Sequence, residues 1–353
     1  MLIRLAVWLL CLNALAFPQR PRFVEHRIQN LHGERFAGYA LGPRTLTAWG
    51  DRVVQWEIPS GKMRVRVKRA PDGFGEGGCL LDTGALVLNE GPPTRALIWL
   101  DASTWQRHVI DTGVDAADIL PATLFGRNGI LLIHRGAQVR FYEIPADPAQ
   151  PWPRTEVYTF YTPSEQGGLG MADVDGDGIP DILAGNDWIK APTSFELPWH
   201  LFAIELWNEE QKSALLREKL VNGAQNLVAV QRSVPRARLA WFEKPADPKQ
   251  LWIEHRLEGA LELNQVNSLQ VADFDSDGRL DLLIAERAGA GRLIVFHNAG
   301  SGKFEPRVIA SGLGIDHAFV TDWNGDGRPD VVTIRKDAIS WWESVPLPSV
   351  TAR

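Results

Sequence analysis

Acidic residues recur at a fixed spacing in three short segments of the chain, and each segment leads straight into an apolar run. Asp or Asn stands at positions 1, 3, 5 and 9 of each segment, and Gly stands at position 6. In one tight loop these oxygens converge on a point, and Ca²⁺ prefers oxygen ligands at roughly 2.3–2.6 Å. The predicted ligands are Asp173, Asp175, Asp177 and Asp181; Asp273, Asp275, Asp277 and Asp281; and Asp322, Asn324, Asp326 and Asp330.

The same first five positions occur in the EF-hand, which also needs a bidentate Glu at position 12 and two flanking helices. Position 12 is Ala184, Ile284 and Thr333 in the three segments. The segments on both sides of each loop are short and rich in branched residues, as strands are. Each loop is therefore predicted to join two strands, and its calcium is predicted to be structural.

The elements that carry these loops repeat along the chain. The loops begin at residues 173, 273 and 322, which indicates a repeat unit of about 50 residues, as in propellers. A second marker, usually an aromatic residue followed two positions later by an acid or Asn, closes an apolar strand in seven places. These markers lie at residues 55–57, 99–101, 141–143, 206–208, 241–243, 296–298 and 341–343.

A basic, strand-like segment follows each marker except the last, for example residues 253–257 after the fifth and 216–220 after the fourth. The missing segment lies at the N-terminus, where residues 23–28 closely resemble residues 252–257. A strand displaced in this way would pair with the last unit, close a ring and remove its open edges. The sequence predicts an all-β fold, a seven-bladed β-propeller with an N-terminal strand closing the last blade.

The ends of the chain predict export. Residues 1–16 contain one positive charge, a short apolar region and an Ala-x-Ala site, as a secretory signal peptide does. We expect a single propeller domain over residues 17–345 and a tail over residues 346–353. The protein is predicted to be secreted or periplasmic and monomeric, without membrane insertion.

The composition is consistent with an exported protein that depends on metal for rigidity. Beyond residue 16 the only cysteine is Cys79, so no intramolecular disulfide can form. The chain has a net charge of −6, and its sequence contains no Lys/Arg cluster that would suggest a nucleic-acid partner. Calcium bound at the acidic loops would offset much of this negative charge. We therefore expect rigidity to come from an apolar core and from metal.

With these loops and repeats, the chain resembles the FG-GAP-like, or VCBS-type, family of calcium-stabilised propellers, which includes integrin α-subunit heads and many secreted bacterial proteins. The acidic loops carry the resemblance over residues 168–185, 268–285 and 317–334. The resemblance implies calcium ligands at positions 1, 3, 5 and 9. The Phe-Gly…Gly-Ala-Pro element of the family is absent, which does not favour integrin-like partner binding.

A ligand is expected on the face of the ring opposite the acidic loops, where strands two and three connect and where blades connect. The candidate residues there are Glu76, Asn186, Asp187, Trp188, Trp199, His200, Asn267, Glu286, Arg287, Asp316, His317 and Arg335. His317 beside Asp316 is the candidate pair for acid–base chemistry. Trp188, Trp199 and His200 belong to a long insertion predicted to lie over this face, which could stack on sugars or pack as a lid.

Two classes of function remain open on the sequence. The first is a binding or scaffold module that recognises a glycan or an exported protein through the polar face. The second is a carbohydrate-active enzyme of the lyase or dehydratase type with its site at the channel mouth. No segment resembles a Ser-His-Asp triad or a His-rich catalytic metal site. The sequence therefore favours binding and leaves the ligand open.

Overall fold

The computed structural model describes residues 20–70, 72–161, 167–207, 226–257 and 261–346, together with the backbone of residues 215–219. The predicted signal peptide, most of the predicted tail and the marker residue Asn208 lie outside the described residues. No helix among the described residues is long and apolar enough to cross a membrane.

Seven four-stranded antiparallel sheets form the ring, and each sheet is one blade. The first three blades consist of consecutive strands, given from the inner to the outer edge. Blade one has Phe36–Gly42, Thr45–Gly50, Val53–Glu57 and Met63–Val67; blade two has Phe74–Leu80, Leu86–Glu90, Leu97–Leu100 and Arg107–Asp111; blade three has Ala116–Leu124, Arg127–His134, Gln138–Glu143 and Arg154–Thr159.

The next three blades follow the same order. Blade four has Gly170–Ala172, Asp181–Ala184, Asp187–Lys190 and His200–Ala203; blade five has Leu215–Lys219, Asn226–Gln231, Leu239–Glu243 and Ile253–Arg256; blade six has Val266–Ala272, Asp281–Glu286, Leu293–Gly300 and Lys303–Ala310.

Blade seven combines the two ends of the chain. Its inner three strands are Ile315–Thr321, Asp330–Arg335 and Ala338–Val345, and its outer strand is Arg22–Asn30. Arg22–Asn30 pairs antiparallel with Ala338–Val345. The prediction of a seven-bladed propeller closed by an N-terminal strand is confirmed.

The prediction for blade four is wrong in its outer half. Residues 216–220 were expected as its outer strand, but Leu215–Lys219 pairs with Asn226–Gln231 as the inner strand of blade five. Gly185, with φ of +56°, allows a tight turn directly after the second strand of blade four. The third strand therefore starts at Asp187, well before the marker at residues 206–208 that was expected to close it.

Among the described residues, seven clusters of buried apolar side chains form the core, and each cluster joins one blade to the next. One of them packs Trp56 of blade one against Phe319 and Trp323 of blade seven, across the junction that closes the ring. Another packs Phe274 of blade six against Trp342 of blade seven. Burying apolar surface between neighbouring sheets is the main force that holds a propeller together.

The aromatic marker and the basic segment that follows it meet across the outer strand pair. In blade five the ring of Trp241 stacks on His255 at a centroid distance of 3.8 Å. The same pair recurs as Trp99 with His108 at 4.2 Å. The basic outer strands thus cover the aromatic third strands in these blades.

Candidate functional site

The three acidic loops occupy equivalent places, between the inner and second strands of blades four, six and seven. Antiparallel strands put these connections, and those between third and outer strands, on one side of the ring, which we call the acidic-loop face. The connections between second and third strands and between blades lie on the other side, the channel-mouth face.

The Asp at position 1 shapes each loop by accepting backbone hydrogen bonds. In blade four, Asp173 accepts from the N–H groups of Gly176 at 2.8 Å and Gly178 at 3.0 Å. Asp273 and Asp322 accept the equivalent bonds from Gly278 and Gly327, both at 2.9 Å. The position-6 glycines have φ between +83° and +85°, a conformation that favours glycine.

The Asp at position 9 joins the loop to the third strand of its blade. Asp281, for example, accepts from the N–H of Phe274 at 3.1 Å and from the N–H of Asn298 at 2.8 Å. Asp181 and Asp330 accept matching pairs of bonds and are equally buried. Burial raises the pKa of Asp181 and of Asp330 to about 6. This position therefore braces the loop as well as offering oxygen to a cation.

The middle positions fit a bound cation. In blades four and six, the carboxylates at positions 1, 3 and 5 each offer an oxygen, and these atoms lie within 4.8 Å of one another. Oδ1 of Asp175 and Oδ1 of Asp275 are buried without a hydrogen-bond partner. A buried carboxylate oxygen without a partner is costly unless a cation or water meets it. The chemistry of these loops thus suits a hard divalent cation.

A residue of the third strand also faces each loop, and it differs in charge between the blades. Nζ of Lys190 reaches Asp175 and, at 2.6 Å, Asp177 in blade four. Nδ1 of His297 lies 3.4 Å from Oδ2 of Asp281 in blade six.

In blade seven, Oε1 of Glu343 lies 3.4 Å from Nδ2 of Asn324. Lys190, His297 and Glu343 occupy equivalent positions in their blades. Each directly precedes the residue whose backbone N–H donates to the position-9 Asp. Sequence reasoning missed their role, although His297 and Glu343 lie within the aromatic markers.

On the channel-mouth face, an ionic network spans the centre of the ring. Nη1 of Arg232, from blade five, donates to Oε2 of Glu76, from blade two, at 2.7 Å. Nε of the same Arg232 donates to Oδ1 of Asn267 at 3.1 Å. Nδ2 of Asn267 in turn donates to the backbone carbonyl of Asp316. The predicted candidates Glu76, Asn267 and Asp316 are thus brought together through Arg232, which directly follows the second strand of blade five.

The predicted acid–base pair has structural partners in this network. Oδ1 of Asp316 accepts from Nε of Arg287 at 2.9 Å. The Nε2–H of His317 donates to the carbonyl oxygen of Phe36 at 3.0 Å. Burial lowers the pKa of His317, so the ring is neutral at pH 7. Both groups are therefore engaged within the fold, which does not favour them as an acid–base pair.

Asp118 is a functional candidate that sequence reasoning missed. It lies on the inner strand of blade three and lines a channel cavity of about 300 Å³ with Glu76, Arg232 and His317. Burial raises the pKa of Asp118, while the charge of Arg232 lowers it. Its position on a strand that enters the channel was the signal available in the sequence.

A second cavity, of about 350 Å³, opens at the rim beside the network. Glu76, Arg287 and Asp316 line it together with Arg35, Asp51 and Lys336. Arg35 and Lys336 are exposed, and neither has an ion-pair partner among the described residues. This rim cavity thus offers two cationic side chains, Arg35 and Lys336, next to the ion pair of Arg287 and Asp316.

The aromatic insertion does not lie on this face, and the prediction for Trp188, Trp199 and His200 is wrong. Trp188 lies in the third strand of blade four, fully buried, and its Nε1–H donates to the carbonyl of Pro248 at 3.1 Å. Residues 191–199 connect the third and outer strands, so they lie on the acidic-loop face. There Trp199 and Phe195 pack on Phe125 of blade three.

Four further candidates do not line either channel cavity among the described residues. Asn186 and Asp187 belong to the tight turn of blade four and its third strand. Glu286 is fully buried and accepts from Nη2 of Arg292 at 2.6 Å. Arg335 is 3% exposed and pairs with Glu25 of the closing strand at 3.0 Å. Ionic side chains at strand ends here brace single blades.

The acidic-loop face carries a larger cleft that the sequence did not predict. It has a volume of about 880 Å³, lies between blades two and three, and is lined by Trp99, Ile144, Pro145 and Trp152 among others. Both Trp rings are more than nine-tenths buried, and the Nε1–H of Trp152 donates to the carbonyl of Pro148. The aromatic rings thus serve the packing between blades rather than an open stacking surface.

Comparison with known proteins supports the repeat assignment. Residues 264–333, which span the acidic loops of blades six and seven, match the family model described as FG-GAP-like repeat. A search of curated proteins found no match to this chain.

Solved structures of the same shape include YCF48 from Cyanidioschyzon merolae, with 13% identity and a TM-score of 0.58 over 91% of this chain and 98% of that one. Saccharomyces cerevisiae Sqt1 has 9% identity and a TM-score of 0.53 over 93% and 100%. The Pseudomonas aeruginosa periplasmic gluconolactonase PpgL has 14% identity and a TM-score of 0.56 over 90% and 91%. At these identities the similarity shows the fold alone.

Proposed function

Since this chain is a β-propeller of the FG-GAP-like repeat family, we propose that it is an exported binding module. In this proposal, divalent cations make the blades rigid, and the channel mouth holds a polar ligand. The observation that carries it is the rim cavity, where the exposed cations Arg35 and Lys336 stand beside the paired Arg287 and Asp316.

The ligand we propose is a carbohydrate that bears a carboxylate, such as a uronic-acid oligosaccharide. Arg35 and Lys336 can bind its carboxylate, and Asp51 and Glu76 can accept hydrogen bonds from its hydroxyl groups. The cavity of about 350 Å³ is at the lower end of the usual range for small-ligand pockets. The alternative ligand is an exported protein with an acidic segment, whose carboxylates would bind the same two cationic side chains.

An enzymatic role has less support in this geometry. The best acid–base candidates, Asp316 and His317, are held by Arg287 and by a backbone carbonyl. General acid–base catalysis needs a group within hydrogen-bond reach of the reacting proton and free to exchange it. We therefore propose binding and keep the lyase or dehydratase reading as the weaker alternative.

The binding proposal is tested on an array of neutral and acidic oligosaccharides. The Arg35→Gln/Lys336→Gln double variant should bind acidic oligosaccharides at least about tenfold more weakly than the unmodified protein, because both rim cations are lost. The matched control is Lys303→Gln, which removes an exposed cation from the outer hairpin of blade six. Equal binding of neutral and acidic sugars, or no binding at all, would contradict the proposal.

For the cation, we propose Ca²⁺ at the acidic loops, most clearly in blade seven. There the third-strand group that faces the loop is a carboxylate, and Asp322 and Asp326 have no ion-pair partner among the described residues. Glu343, whose Oε2 lies 2.8 Å from Nε2 of His26, adds a carboxylate oxygen near Asn324. Calcium that binds only the folded state would raise the free energy of unfolding, by an amount that grows with the logarithm of its affinity.

Replacing Asp326 with Asn tests this site. The amide oxygen can still accept the hydrogen bond that Oδ1 receives from the N–H of Arg328, so the melting temperature in chelator should stay nearly unchanged. The melting temperature in Ca²⁺ should fall, because one charged ligand is lost. Metal analysis and thermal unfolding in Ca²⁺ and in chelator measure both effects. Equal losses in the two buffers would mean that the loop holds no calcium.

A further inference from the structure

We propose that the acidic loop of blade six is a mixed nitrogen and oxygen site for a transition-metal dication such as Zn²⁺. Its protein ligands are His297, Asp275 and Asp281. This inference rests on the proposed binding of cations by the acidic loops, and it assigns a different metal to one of them.

His297 is the first observation. It lies on the third strand of blade six, it is 2% exposed, and neither Nδ1 nor Nε2 has a hydrogen-bond partner. Buried polar side chains nearly always have a partner, because an unsatisfied group loses its hydration without compensation. An imidazole with two unsatisfied nitrogens is therefore a group whose partner is still to be identified.

The carboxylates around this ring are the second observation. Nδ1 of His297 lies 3.4 Å from Oδ2 of Asp281 and 3.9 Å from Oδ2 of Asp275. One ligand atom from each of the three residues lies within 4.8 Å of the others, so a single ion can contact all three. Oδ1 of Asp275 is also buried without a hydrogen-bond partner. Two independent unsatisfied side chains thus meet at one point.

The kind of ligand selects the kind of metal. Calcium takes oxygen ligands in proteins, whereas imidazole nitrogen suits zinc and other transition-metal dications. A His with two carboxylates leaves the fourth position of a tetrahedral zinc site open for water or another loop oxygen. Blade seven has Glu343 in place of His297, so its loop remains a site of oxygen ligands only.

A positively charged His297 that only neutralises the loop is the alternative, and blade four shows how such a cation behaves. Lys190 occupies the equivalent position and contacts its acids directly, with Nζ at 2.6 Å from Asp177. His297 makes no such hydrogen bond and remains 3.4 Å and 3.9 Å from its two carboxylates. The wider separation is the spacing expected when an ion lies between ligands at roughly 2.0–2.2 Å each.

The test uses the purified protein after chelation, titrated with Zn²⁺, Co²⁺ and Ca²⁺ and followed by calorimetry, metal analysis and visible absorption. The protein should retain one equivalent of Zn²⁺ in excess Ca²⁺ and give a Co²⁺ absorption band from a nitrogen-containing site. His297→Gln should lose that band and bind Zn²⁺ at least about tenfold more weakly. The matched control, His255→Gln, removes a histidine that stacks on Trp241 on the outer strand of blade five and should change neither.

Each other outcome is decisive. Calcium binding without retained Zn²⁺, or an unchanged Co²⁺ band in His297→Gln, overturns this inference and leaves the proposed calcium sites intact. Failure to bind any of the three cations would overturn both. If His297→Gln does not fold, retention of Zn²⁺ and the Co²⁺ band in the unmodified protein decide the question alone.

Discussion

At the scale of single residues, one side chain from the third strand distinguishes three loops of nearly equal sequence. The loops share their backbone hydrogen bonds and their buried position-9 Asp. What differs is the facing group: an ammonium at Lys190, an imidazole at His297 and a carboxylate at Glu343. Loops with the same motif are therefore expected to differ in the cation they bind and in its affinity.

Lys190 acts as an internal cation in blade four, and its removal should make that loop depend on metal. Its hydrogen bond lowers the pKa of Asp177. Lys190→Met should lower the free energy of unfolding in chelator by about 1 kcal/mol, a modest value because these charges are partly exposed. In Ca²⁺ the variant should regain stability, because the released carboxylate oxygens can bind the ion.

The measurement is thermal unfolding of both proteins in chelator and in Ca²⁺. The stabilisation by Ca²⁺ should be larger for Lys190→Met than for the unmodified protein. Lys68→Met, which removes an exposed cation from the end of the outer strand of blade one, a blade without an acidic loop, should leave that difference unchanged. A variant with the same response to Ca²⁺ as the unmodified protein would show that Lys190 does not compete with metal.

At the scale of elements, the closing strand Arg22–Asn30 completes blade seven and is tied to it by more than backbone pairing. Oε1 of Glu25 accepts from Oγ of Ser340 at 2.7 Å and from Nη2 of Arg335 at 3.0 Å. Arg335 is almost fully buried, at 3% exposure. The ion pair thus fixes the N-terminal strand to the second strand of the blade, across the third strand that lies between them.

Arg335→Met should therefore weaken the closure of the ring. Losing one partner of a largely buried pair leaves Glu25 uncompensated, and we expect the free energy of unfolding to fall by roughly 2 kcal/mol. Chemical denaturation measures this loss. Arg27→Met is the matched control, because Arg27 on the same strand pairs with Asp337 at 3.6 Å with half of its side chain exposed. Equal small losses in both variants would contradict a special role for Arg335.

At the scale of the whole molecule, the ring is held by packing between all neighbouring blades and by an ionic contact across its centre. Seven buried clusters join the blades in sequence, including the junction of blades seven and one. Arg232 of blade five then reaches Glu76 of blade two over the channel. Burial opposes ionisation of Glu76, but Arg232 lowers its pKa below the ordinary value of 4.5.

Arg232→Met should destabilise the molecule by about 1 kcal/mol at pH 7, because the exposed Glu76 and the half-buried Asp118 lose their counter-charge. A lowered pKa in the folded state gives stability that is present above pH 4.5 and is lost as the pH falls below it. The contribution of Glu76 to the difference between the two proteins should therefore shrink in acid.

Urea denaturation between pH 3 and pH 7 measures this dependence. Arg236→Met serves as the control, since Arg236 pairs with Glu262 at 3.5 Å with most of both side chains exposed. It should change stability little at any pH in this range. A pH-independent loss in Arg232→Met would contradict the electrostatic origin of the effect.

Local and periodic features of this protein followed from the sequence. The acidic loops could be predicted because the spacing of Asp173, Asp175 and Asp177 is fixed by a short piece of chain. The closing strand could be predicted because residues 23–28 repeat a pattern found elsewhere. Blade four could not be divided correctly, because the tight turn at Gly185 and the marker-like residues at 206–208 gave competing signals.

Only the tertiary structure decided which distant side chains meet. His297 reaches Asp275 and Asp281 because the register of two paired strands aims it at the loop. Arg232 reaches Glu76 because closure of the ring brings blades five and two to opposite sides of a narrow channel. Contacts of this kind depend on strand register and ring geometry, so no local spacing in the sequence encodes them.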